Sequence, residues 1–496
     1  MKKIQTALIS VFDKTGIDKI VGKLHKNKVQ IISTGGTQKY IESLKIPVST
    51  VESLTEYPSI LGGRVKTLHP KIFGGILYRD DKGDDLEEIK KYNLPQIDLV
   101  IVDLYPFEET VKLTNDESKI IEKIDIGGVS LLRASAKNYS KTLVVSSKNN
   151  YNEFINHMDK NNYSSDIKFR KKYASKAFAI TSEYDSQIDN FFGVSSGEYP
   201  QLRYGENPHQ KAIFKGDLSK IFHKINGKDL SYNNLLDIDS AINLISEFKL
   251  TTFAIIKHNN ACGIASCSSV LSSYRKALMS DPLSAFGGVL ITNEKVDGNS
   301  AKEINKLFFE VLIAPEFDEK SLEILKEKKN RIILRMNDFI SDNVSSKKLL
   351  GGYLQQDLDI AENKVENWNV VTEIKPSKEQ LTDLEFANKI VKHSKSNAIV
   401  LVSGNQMISS GVGQTSRVDA LKHAIEKAKT FGLKVDGSVM ASDAFFPFPD
   451  CIDIAASAGV QSVVQPGGSI KDNLSIDACN KANISMVITG MRHFYH

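Results

Sequence analysis

Short apolar segments of strand length alternate with helical patterns through the first 150 residues, and this alternation constrains the fold more than any other feature. The segments are 6–11, 29–32, 98–104 and 142–145, and β-branched residues are frequent in them. Between the first two, apolar residues recur at the i, i+3, i+4, i+7 spacing of one helical face. A β-α-β-α order predicts a parallel sheet covered by helices, so we expect an α/β fold.

The length of 496 residues predicts more than one domain, because a single hydrophobic core rarely extends over so long a chain. A helical pattern at 164–192 carries an apolar stripe that we interpret as core or as a connecting helix. Residues 193–197 place valine and serine between glycines, which is typical of a linker. We therefore predict two domains, 1–195 and 196–496.

Composition and charge exclude several classes of protein. Hydrophobic residues make up 41% of the chain and charged residues 25%, as in an ordinary soluble globular protein. The formal net charge of +4 is too small to predict nucleic acid or a membrane as partner. We expect neither a signal peptide nor a membrane helix, since no apolar run approaches ~18 residues. The four cysteines lack the spacing of a zinc site or a disulfide framework, so we expect no metal and a reducing, cytoplasmic environment.

A lysine and a histidine follow the apolar segment 252–256, at what we predict to be the carboxyl end of a buried strand. Ligands bind at such strand ends in open α/β sheets. Burial would make the amine a weaker base and keep the imidazole neutral, so Lys257 and His258 could take part in proton transfer. The alternative is an exposed Lys-His pair after an edge strand, and the two residues alone do not decide between these interpretations.

Several loops rich in glycine and hydroxyl residues suit an anionic ligand. Residues 33–37, Ser-Thr-Gly-Gly-Thr, separate a strand from a helix and can bind phosphate through backbone N–H groups, although an ordinary turn is an alternative. Arg64 and Lys66 share one face of an extended chain and form with Thr67 a second anion-binding surface or a basic edge. The segment 411–417 is again glycine-rich, precedes a helix and ends in an arginine.

The segment 442–450 combines three phenylalanines with two prolines. Prolines favour a loop, and aromatic faces suit a flat heterocycle, so we predict an aromatic wall at a binding site, with core packing as the alternative. We find no repeat at a fixed period.

The motifs form an ordered series along nearly the whole chain. They are Asp13-Lys14-Thr15-Gly16, Ser33-Thr34-Gly35-Gly36-Thr37, Gly62-Gly63-Arg64-Val65-Lys66-Thr67-Leu68-His69-Pro70, Leu104-Tyr105-Pro106-Phe107, Asp125-Ile126-Gly127-Gly128, Arg203-Tyr204-Gly205-Glu206-Asn207-Pro208, Ser416-Arg417 and Ser442-Asp443-Ala444-Phe445-Phe446-Pro447-Phe448. In this order they resemble a family of bifunctional purine-biosynthesis enzymes, with IMP cyclohydrolase in the N-terminal part and AICAR formyltransferase in the C-terminal part. One departure is Ala261, which stands in the segment 257–263 where the family usually has proline; it affects loop stiffness more than chemistry.

The resemblance implies a fold and a pair of reactions. The N-terminal part would be a methylglyoxal-synthase-like α/β domain with a parallel sheet, and the C-terminal part a pair of cytidine-deaminase-like α/β subdomains without the deaminase zinc. The chain would transfer a formyl group from the co-substrate 10-formyltetrahydrofolate to AICAR, then cyclise formyl-AICAR to IMP with loss of water. These are the last two steps of de novo IMP synthesis. The implied partners are these small molecules and a second copy of the chain in a homodimer, with no nucleic acid or membrane.

The resemblance also assigns roles to individual residues. His258 would be the base that takes a proton from the AICAR amine, and Lys257 would stabilise the oxyanion or protonate the departing folate nitrogen. The catalytic residues implied for cyclisation are Lys66, Tyr105, Asp125 and Lys137. Those implied to bind IMP or formyl-AICAR are Asp13, Lys14, Ser33, Thr34, Gly35, Gly36, Thr37, Arg64, Val65, Thr67, Asp103 and Ile126. Those implied to bind AICAR are Arg203, Tyr204, Asn234, Gly287, Glu310, Asn397, Arg417 and Arg492, and those implied to face the folate are Val418, Phe445, Asp450, Ser469 and Ile470.

Two other functions remain as alternatives. The first is a non-catalytic nucleotide sensor. The presence of Lys257, His258 and Lys137 argues against it, and an assay for folate-dependent activity would decide between a sensor and an enzyme. The second is a methylglyoxal-synthase-type lyase joined to a zinc-free deaminase relative, for which release of phosphate from dihydroxyacetone phosphate would be diagnostic.

Overall fold

The computed structural model describes residues 1–196, 199–337, 343–361 and 363–496. By its internal contacts the chain divides into two compact units, Met1–Glu198 and Tyr199–His496. Within the described residues, no helix is both long enough and apolar enough to cross a membrane.

The first unit alternates strands and helices along the chain. Its strands are β1 (Lys2–Lys3), β2 (Thr6–Ser10), β3 (Gln30–Ser33), β4 (Ser49–Thr50), β5 (Leu99–Val102), β6 (Leu143–Val145) and β7 (Ser164–Ser165). Its α-helices are α1 (Ile17–Lys26), α2 (Gly35–Ser43), α3 (Val51–Thr55), α4 (Pro70–Leu77), α5 (Gly83–Lys91), α6 (Phe107–Leu113), α7 (Glu117–Ile121), α8 (Gly127–Lys137), α9 (Tyr151–Lys160) and α10 (Ile167–Ser195).

The main sheet of the first unit is parallel and has the order β4-β3-β2-β5-β6, which confirms the predicted fold of the N-terminal part. Successive side chains point to opposite faces. Ile9 of β2 therefore lies in a buried cluster with α1 and α9, while its neighbour Leu8 lies in another with α4 and α8. Because the strands are parallel, the loops after β2, β3, β5 and β6 all leave from one edge of the sheet.

Helix α10 corrects residues 193–195 of the predicted linker 193–197, whose last residue lies outside the described part of the chain. It begins after Asp166, whose carboxylate accepts a hydrogen bond from Phe169 N at 2.8 Å, and continues through Gly193 to Ser195. A glycine inside a helix costs roughly 0.5–1 kcal/mol, which packing can offset. Here the ring of Phe191 packs edge-on against Phe107, with 5.9 Å between centroids. Tertiary packing thus extends the helix into a segment that composition assigned to a linker.

The second unit is also α/β. Its strands are β8 (Phe222–Asn226), β9 (Thr252–Lys257), β10 (Asn260–Ser266), β11 (Val289–Thr292), β12 (Val311–Ala314), β13 (Ile332–Met336), β14 (Val344–Leu349), β15 (Gly352–Asp357), β16 (Asn369–Val370), β17 (Ile399–Ser403), β18 (Gln406–Gly411), β19 (Val439–Ser442), β20 (Ser462–Gln465) and β21 (Ser485–Ile488). Its α-helices are α11 (Tyr232–Ile245), α12 (Val270–Ser280), α13 (Gly298–Ile304), α14 (Glu319–Lys326), α15 (Lys378–Lys392), α16 (Arg417–Thr430), α17 (Asp450–Ser457) and α18 (Asp472–Ala482).

Two halves of identical topology form the mixed sheet of the second unit. The strand order is β16-β21-β20-β19-β17-β18-β10-β9-β11-β12-β13-β8. Each half runs strand, helix, hairpin, helix and then three strands separated by two helices, and β10 joins β18 antiparallel between the halves. The pair of α/β subdomains is therefore present as a repeat of topology, although the sequence shows no repeat.

A glycine in each half allows the hairpin to approach the following helix closely. A Cβ on Gly263 of β10 would lie 2.0 Å from the carbonyl oxygen of Ala277 in α12. In the other half, a Cβ on Gly411 of β18 would lie 1.9 Å from that of Ala420 in α16. No side chain fits at either distance, so the same packing requirement selects glycine twice.

The hairpin of β14 and β15 was not foreseen from the sequence. Its strands form a two-stranded sheet of their own, and its turn exposes Leu350 completely while Tyr353 and Leu354 remain more than 60% exposed. The segment lacks the alternation of apolar and polar residues by which half-buried strands are recognised.

Candidate active sites

An uncapped helix N-terminus lies at the carboxyl edge of the first unit's sheet. β3 ends at Ser33, and α2 begins at Gly35 after the extended residue Thr34. The Thr34 hydroxyl donates to Glu52 Oε1 at 3.1 Å and makes no cap to α2. Among the described residues, no side chain caps the first N–H groups of α2, and the terminus attracts anions through these groups and the helix dipole.

Two lysines lie beside this terminus. A Cβ on Gly35, whose φ is +57°, would lie 2.8 Å from Lys66 Nζ, and one on Gly36 would lie 3.8 Å from Lys14 Nζ. Burial lowers the pKa of Lys14, and the charge of the neighbouring Asp103 opposes this. Backbone N–H groups and two ammonium groups thus converge where a phosphate dianion can bind.

Hydroxyl groups of the predicted phosphate loop are engaged inside the fold. Ser33 Oγ donates to the carbonyl oxygen of Ile9 at 2.7 Å, and Thr37 Oγ1 donates to that of Val11 at 2.8 Å. Both residues are buried, as is Thr67. Their side chains shape the loop, which leaves anion binding chiefly to the backbone and the lysines.

A carboxylate, a phenol and an ammonium group lie within electrostatic reach of each other near the start of α8. Asp125 Oδ1 accepts a hydrogen bond from Gly128 N at 2.6 Å. Burial raises the pKa of Asp125, and the Gly128 N–H and the charge of Lys66 oppose this only in part. Burial also raises the pKa of Tyr105, and the charge of Asp125 adds to that effect. The group offers a proton acceptor, a neutral donor and a fixed positive charge.

A second carboxylate holds the loop that follows β2. Asp103 accepts hydrogen bonds from the backbone N–H groups of Phe12 and, at 2.9 Å, of Asp13. Burial raises the pKa of Asp103. Asp13 pairs with Lys148 at 2.6 Å, and this contact holds the pKa of Asp13 well below its usual range. Both carboxylates therefore already have partners that fix the loop.

One predicted cyclisation residue, Lys137, lies apart from this group, and two others, Arg64 and Ile126, are its sequence neighbours but are exposed. Lys137 is exposed at the last residue of α8, whereas Asp125 precedes the first, and a helix of 11 residues is about 16 Å long. Arg64 is exposed and pairs with Glu122, and Ile126 is 58% exposed. The structure thus gathers Lys66, Tyr105 and Asp125 but leaves Lys137 without a described contact to them.

In the second unit, Lys257 and His258 lie at a tight turn between β9 and β10. Lys257 pairs with Asn260 across the hairpin, and the two residues between them, His258 and Asn259, have φ of 52° and 62°. Such left-handed residues are uncommon outside glycine, and Asn and His are among the side chains that tolerate them best. The expected burial is wrong for His258, which is exposed because it occupies the turn and not the strand.

The Lys257 ammonium is turned towards the loop before β11. Its Nζ donates to the carbonyl oxygen of Phe286 at 2.8 Å, and a Cβ on Gly287 would lie 3.3 Å from it. Gly287 has φ of +68° and donates its N–H to the carbonyl oxygen of Phe308 at 2.8 Å. The structure therefore brings together two of the predicted site residues, Lys257 and Gly287.

Asp237 is a site residue that the sequence did not reveal. It lies on α11, and its Oδ1 accepts a hydrogen bond from Asn259 N at 2.7 Å. Burial raises the pKa of Asp237, and the Asn259 N–H and the charges of His258 and Lys257 oppose this. No spacing or motif connects a helix residue to a turn twenty positions later, so only the tertiary structure could reveal it.

Asn397 is held immediately before β17. Its backbone N–H and its Nδ2 both donate to the carbonyl oxygen of Gln414, at 3.1 and 2.9 Å. The segment before β17 also reaches the turn between β9 and β10, because Lys395 N donates to Asn260 Oδ1 at 3.0 Å. Lys395, two residues before Asn397, therefore links the segment of Asn397 to the turn that carries His258.

Arg417 forms a buried ion pair at the start of α16. Its Nη2 donates to Asp443 Oδ1 at 2.7 Å, and its Nη1 lies 3.4 Å from the carbonyl oxygen of Phe445. The expected wall of three phenylalanines is wrong in part. Phe445 is half-buried and Phe448 is 50% exposed, but Phe446 is fully buried in the core, because it packs with α16 and α17.

Most of the remaining predicted AICAR ligands already have partners. The Arg203 guanidinium lies 5.4 Å from the ring centroid of Tyr204, and Glu310 pairs with Lys228 at 2.6 Å. Asn234 is buried in the capping box of α11. The Asn234 side chain therefore caps the N-terminus of α11 in this structure.

The predicted folate-side residues are partly exposed. Ile470 is fully exposed, Asp450 is the exposed first residue of α17, and Val418 is half-buried against the core. Ser469 Oγ accepts the N–H of the residue two positions on, at 3.1 Å. Arg492 is exposed, with its guanidinium 4.4 Å from a phenylalanine ring.

Within the described ranges, no three His, Cys, Asp or Glu side chains are grouped as metal ligands would be. The four cysteines are free thiols, and burial raises the pKa of Cys262, Cys451 and Cys479 to about 12.

Comparison with known proteins identifies relatives over the whole chain. Residues 135–427 match the family described as AICARFT/IMPCHase bienzyme, and residues 16–130 match the MGS-like domain. The bifunctional purine biosynthesis protein PurH of Bacteroides thetaiotaomicron is 55% identical over 100% of this chain and 99% of its own length. The proteins of the same name from Acetivibrio thermocellus and Aquifex aeolicus are 44% and 45% identical, each over 99% of this chain and 100% of its own length.

Proposed function

The chain belongs to the AICARFT/IMPCHase bienzyme family and catalyses the last two steps of IMP synthesis, and we propose that each of its two units performs one of them. In this proposal residues 1–195 form the IMP cyclohydrolase domain and residues 196–496 the AICAR formyltransferase domain. The observation that supports it most is that the two groups of candidate catalytic residues lie in different units. Lys66, Tyr105 and Asp125 gather in the first compact unit, whereas Lys257 and His258 lie in the second.

For formyl transfer, the amine of AICAR attacks the formyl carbon of 10-formyltetrahydrofolate, and the bond from that carbon to the folate nitrogen breaks. The amine is conjugated with the ring and must lose a proton as it attacks, and His258 accepts that proton from its position on a fixed turn. Lys257 stabilises the developing oxyanion or supplies the proton to the leaving nitrogen, since its only described hydrogen bond is to a neutral carbonyl group.

For cyclisation, the carboxamide nitrogen of formyl-AICAR attacks the formyl carbon of the same molecule and water leaves. Because the reaction is intramolecular, holding the reactive conformation supplies much of the rate. The N-terminus of α2, with Lys14, holds the phosphate. Asp125 accepts the proton, and Lys66 and Tyr105 polarise the carbonyl oxygen. Lys137 stays a predicted catalytic residue, although it lies at the far end of α8 and has no described contact with Lys66, Tyr105 or Asp125.

A homodimer in the cytoplasm completes the proposal. The hairpin of β14 and β15 supports an assembly, since it presents Leu350, Tyr353 and Leu354 to solvent. Apolar side chains grouped on one projection are typical of an interface. Free thiols in all four cysteines fit a reducing compartment.

The proposal is tested by incubating the protein with AICAR and 10-formyltetrahydrofolate and following tetrahydrofolate and IMP. His258→Ala should lose formyl transfer and retain cyclisation of supplied formyl-AICAR. The matched control is His223→Ala, an exposed histidine on β8, at the opposite edge of the same half-sheet, which should retain both activities. Loss of both activities in a folded His258→Ala protein would show that the two units do not divide the reactions.

A further inference from the structure

The segment 490–496 is hydrogen-bonded to the residues that precede β17. Tyr495 N donates to Ser396 Oγ at 3.1 Å, and Ser396 N donates to the carbonyl oxygen of Tyr495 at 3.0 Å. The ring of Tyr495 lies under Lys395, whose Nζ is 4.0 Å from the ring centroid. Two reciprocal hydrogen bonds and one ring contact therefore fix the position of residues 395–396.

Lys395 passes this position on to the catalytic turn. Its backbone N–H donates to Asn260 Oδ1 at 3.0 Å, and Asn260 Nδ2 donates to the carbonyl oxygen of His258 at 2.9 Å. The carboxamide of Asn260 is thus a bridge with its acceptor on one side and its donor on the other. A side chain that only accepts, or only donates, cannot make both contacts.

The orientation of the His258 imidazole depends on contacts of its backbone, because the ring itself makes no described hydrogen bond. In the described part of the chain, the His258 ring has no hydrogen-bond partner, and the residue is exposed. Its direction is set by the backbone, which is left-handed at His258 and Asn259. That backbone is fixed on one side by Asp237, which accepts the Asn259 N–H at 2.7 Å, and on the other side by Asn260.

From these contacts we propose that Asn260 and Tyr495 are positioning residues for formyl transfer: Tyr495 fixes Lys395, and Asn260 carries that position to the carbonyl group of His258. The inference rests on the proposed role of His258 as the base. It also gives the segment 490–496 a second role. The segment contains Arg492, a residue predicted to bind AICAR, and it also helps to position the turn of His258.

The test compares Asn260→Asp with Asn260→Ala and Tyr495→Phe with Tyr495→Ala. Aspartate still accepts from Lys395 N, but its second carboxylate oxygen repels the carbonyl oxygen of His258, so the hydrogen bond to that group is lost. We expect Asn260→Asp to lower kcat of formyl transfer roughly 10- to 100-fold, the size of effect that small misplacements cause, with KM for AICAR changed less than threefold.

Tyr495→Phe retains the ring and both backbone hydrogen bonds and should match the wild type, whereas Tyr495→Ala keeps the backbone hydrogen bonds but loses the ring contact with Lys395 and should show a smaller kcat defect than Asn260→Ala. Cyclisation of supplied formyl-AICAR is the internal control and should stay unchanged in every variant. Wild-type kcat in Asn260→Asp, or an equal loss of both activities, would overturn the positioning role. If the wild-type protein itself forms no tetrahydrofolate from the two substrates, it is the proposed function that fails.

Discussion

Lys257 Nζ donates a hydrogen bond to the carbonyl oxygen of Phe286 at 2.8 Å. A carbonyl group orients an ammonium group without neutralising it, and among the described residues no carboxylate lies within 4.0 Å of this nitrogen to form an ion pair. The full positive charge is therefore available beside Gly287. This arrangement suits a transition state in which negative charge develops on the formyl oxygen.

We predict that Lys257→Met lowers kcat of formyl transfer by about 100- to 1,000-fold, the usual cost of removing one stabilising donor. Steady-state kinetics with AICAR and 10-formyltetrahydrofolate measure the change. Lys306→Met is the matched control, because Lys306 is exposed and pairs with Glu303 away from the turn of His258. Equal effects of the two substitutions would remove Lys257 from the mechanism.

Asp125→Asn should slow cyclisation strongly while raising thermal stability. Burial raises the pKa of Asp125, so the carboxylate is ionised, and able to accept a proton, only above that raised pKa. Stability falls as pH rises from the unfolded pKa, about 3.9, through the raised folded pKa, and the cost of the buried charge is fully present above it. Asparagine removes that cost and still accepts from Gly128 N.

The expected loss of cyclisation rate is about 100- to 10,000-fold, typical of a missing general base. Initial rates from pH 4 to 8 should show an acidic limb in the wild type, and thermal unfolding at pH 7 should show a higher Tm in the variant. A variant that retains most of its rate would exclude Asp125 as the base.

Several buried strands were predictable because they follow local rules. The run 252–256 is apolar and β-branched, and it forms most of β9. The hairpin of β17 and β18 follows from its Gly404-Asn405 turn. In the first unit, the alternation of strand and helix was enough to predict a parallel sheet.

What the sequence could not reveal are contacts between segments distant along the chain. Asp237 reaches the turn at Asn259 from a helix, and Lys395 meets Asn260 across 135 positions. Glycine at 193 suggested a linker, because amino-acid composition carries no information on tertiary contacts. In the structure the nearby Phe191 packs against Phe107. Each miss is a case in which tertiary packing overrides a local preference.

Gly35→Ala should weaken cyclisation and destabilise the first unit by about 1–2 kcal/mol. Gly35 has φ of +57°, where a Cβ is disfavoured, and the added atom would lie 2.8 Å from Lys66 Nζ. The end of a lysine side chain can move, so the ammonium group gives way and leaves its place beside the α2 terminus. Formyl transfer, catalysed in the other unit, should be unchanged.

Gly22→Ala is the matched control in the same unit. Gly22 lies inside α1, and a Cβ there would meet nothing within 4 Å. Alanine in a helix interior should stabilise the unit by about 0.5–1 kcal/mol and leave both activities intact. Chemical denaturation and the two kinetic assays compare the variants. If Gly35→Ala cyclises formyl-AICAR as fast as Gly22→Ala, Lys66 does not act from its present position.

The formyltransferase site is predicted to be shared between two subunits. The residues implied to bind AICAR and folate extend from Arg203 to Arg492, and the hairpin with Leu350 offers an apolar surface for assembly. We expect His258 and Phe445 at one site to come from different chains. Formyl transfer should then depend on protein concentration, because a monomer holds only part of each site, whereas cyclisation should not.

Complementation tests the shared site directly. His258→Ala and Phe445→Ala, each inactive in formyl transfer, are mixed under conditions that allow subunit exchange. Random exchange makes half of the dimers mixed, and each mixed dimer holds one intact site out of two, so up to roughly a quarter of the wild-type activity should return. Exchange is verified separately with differently tagged subunits. If the tags mix and no activity returns, both residues act from the same chain and each subunit carries a complete site.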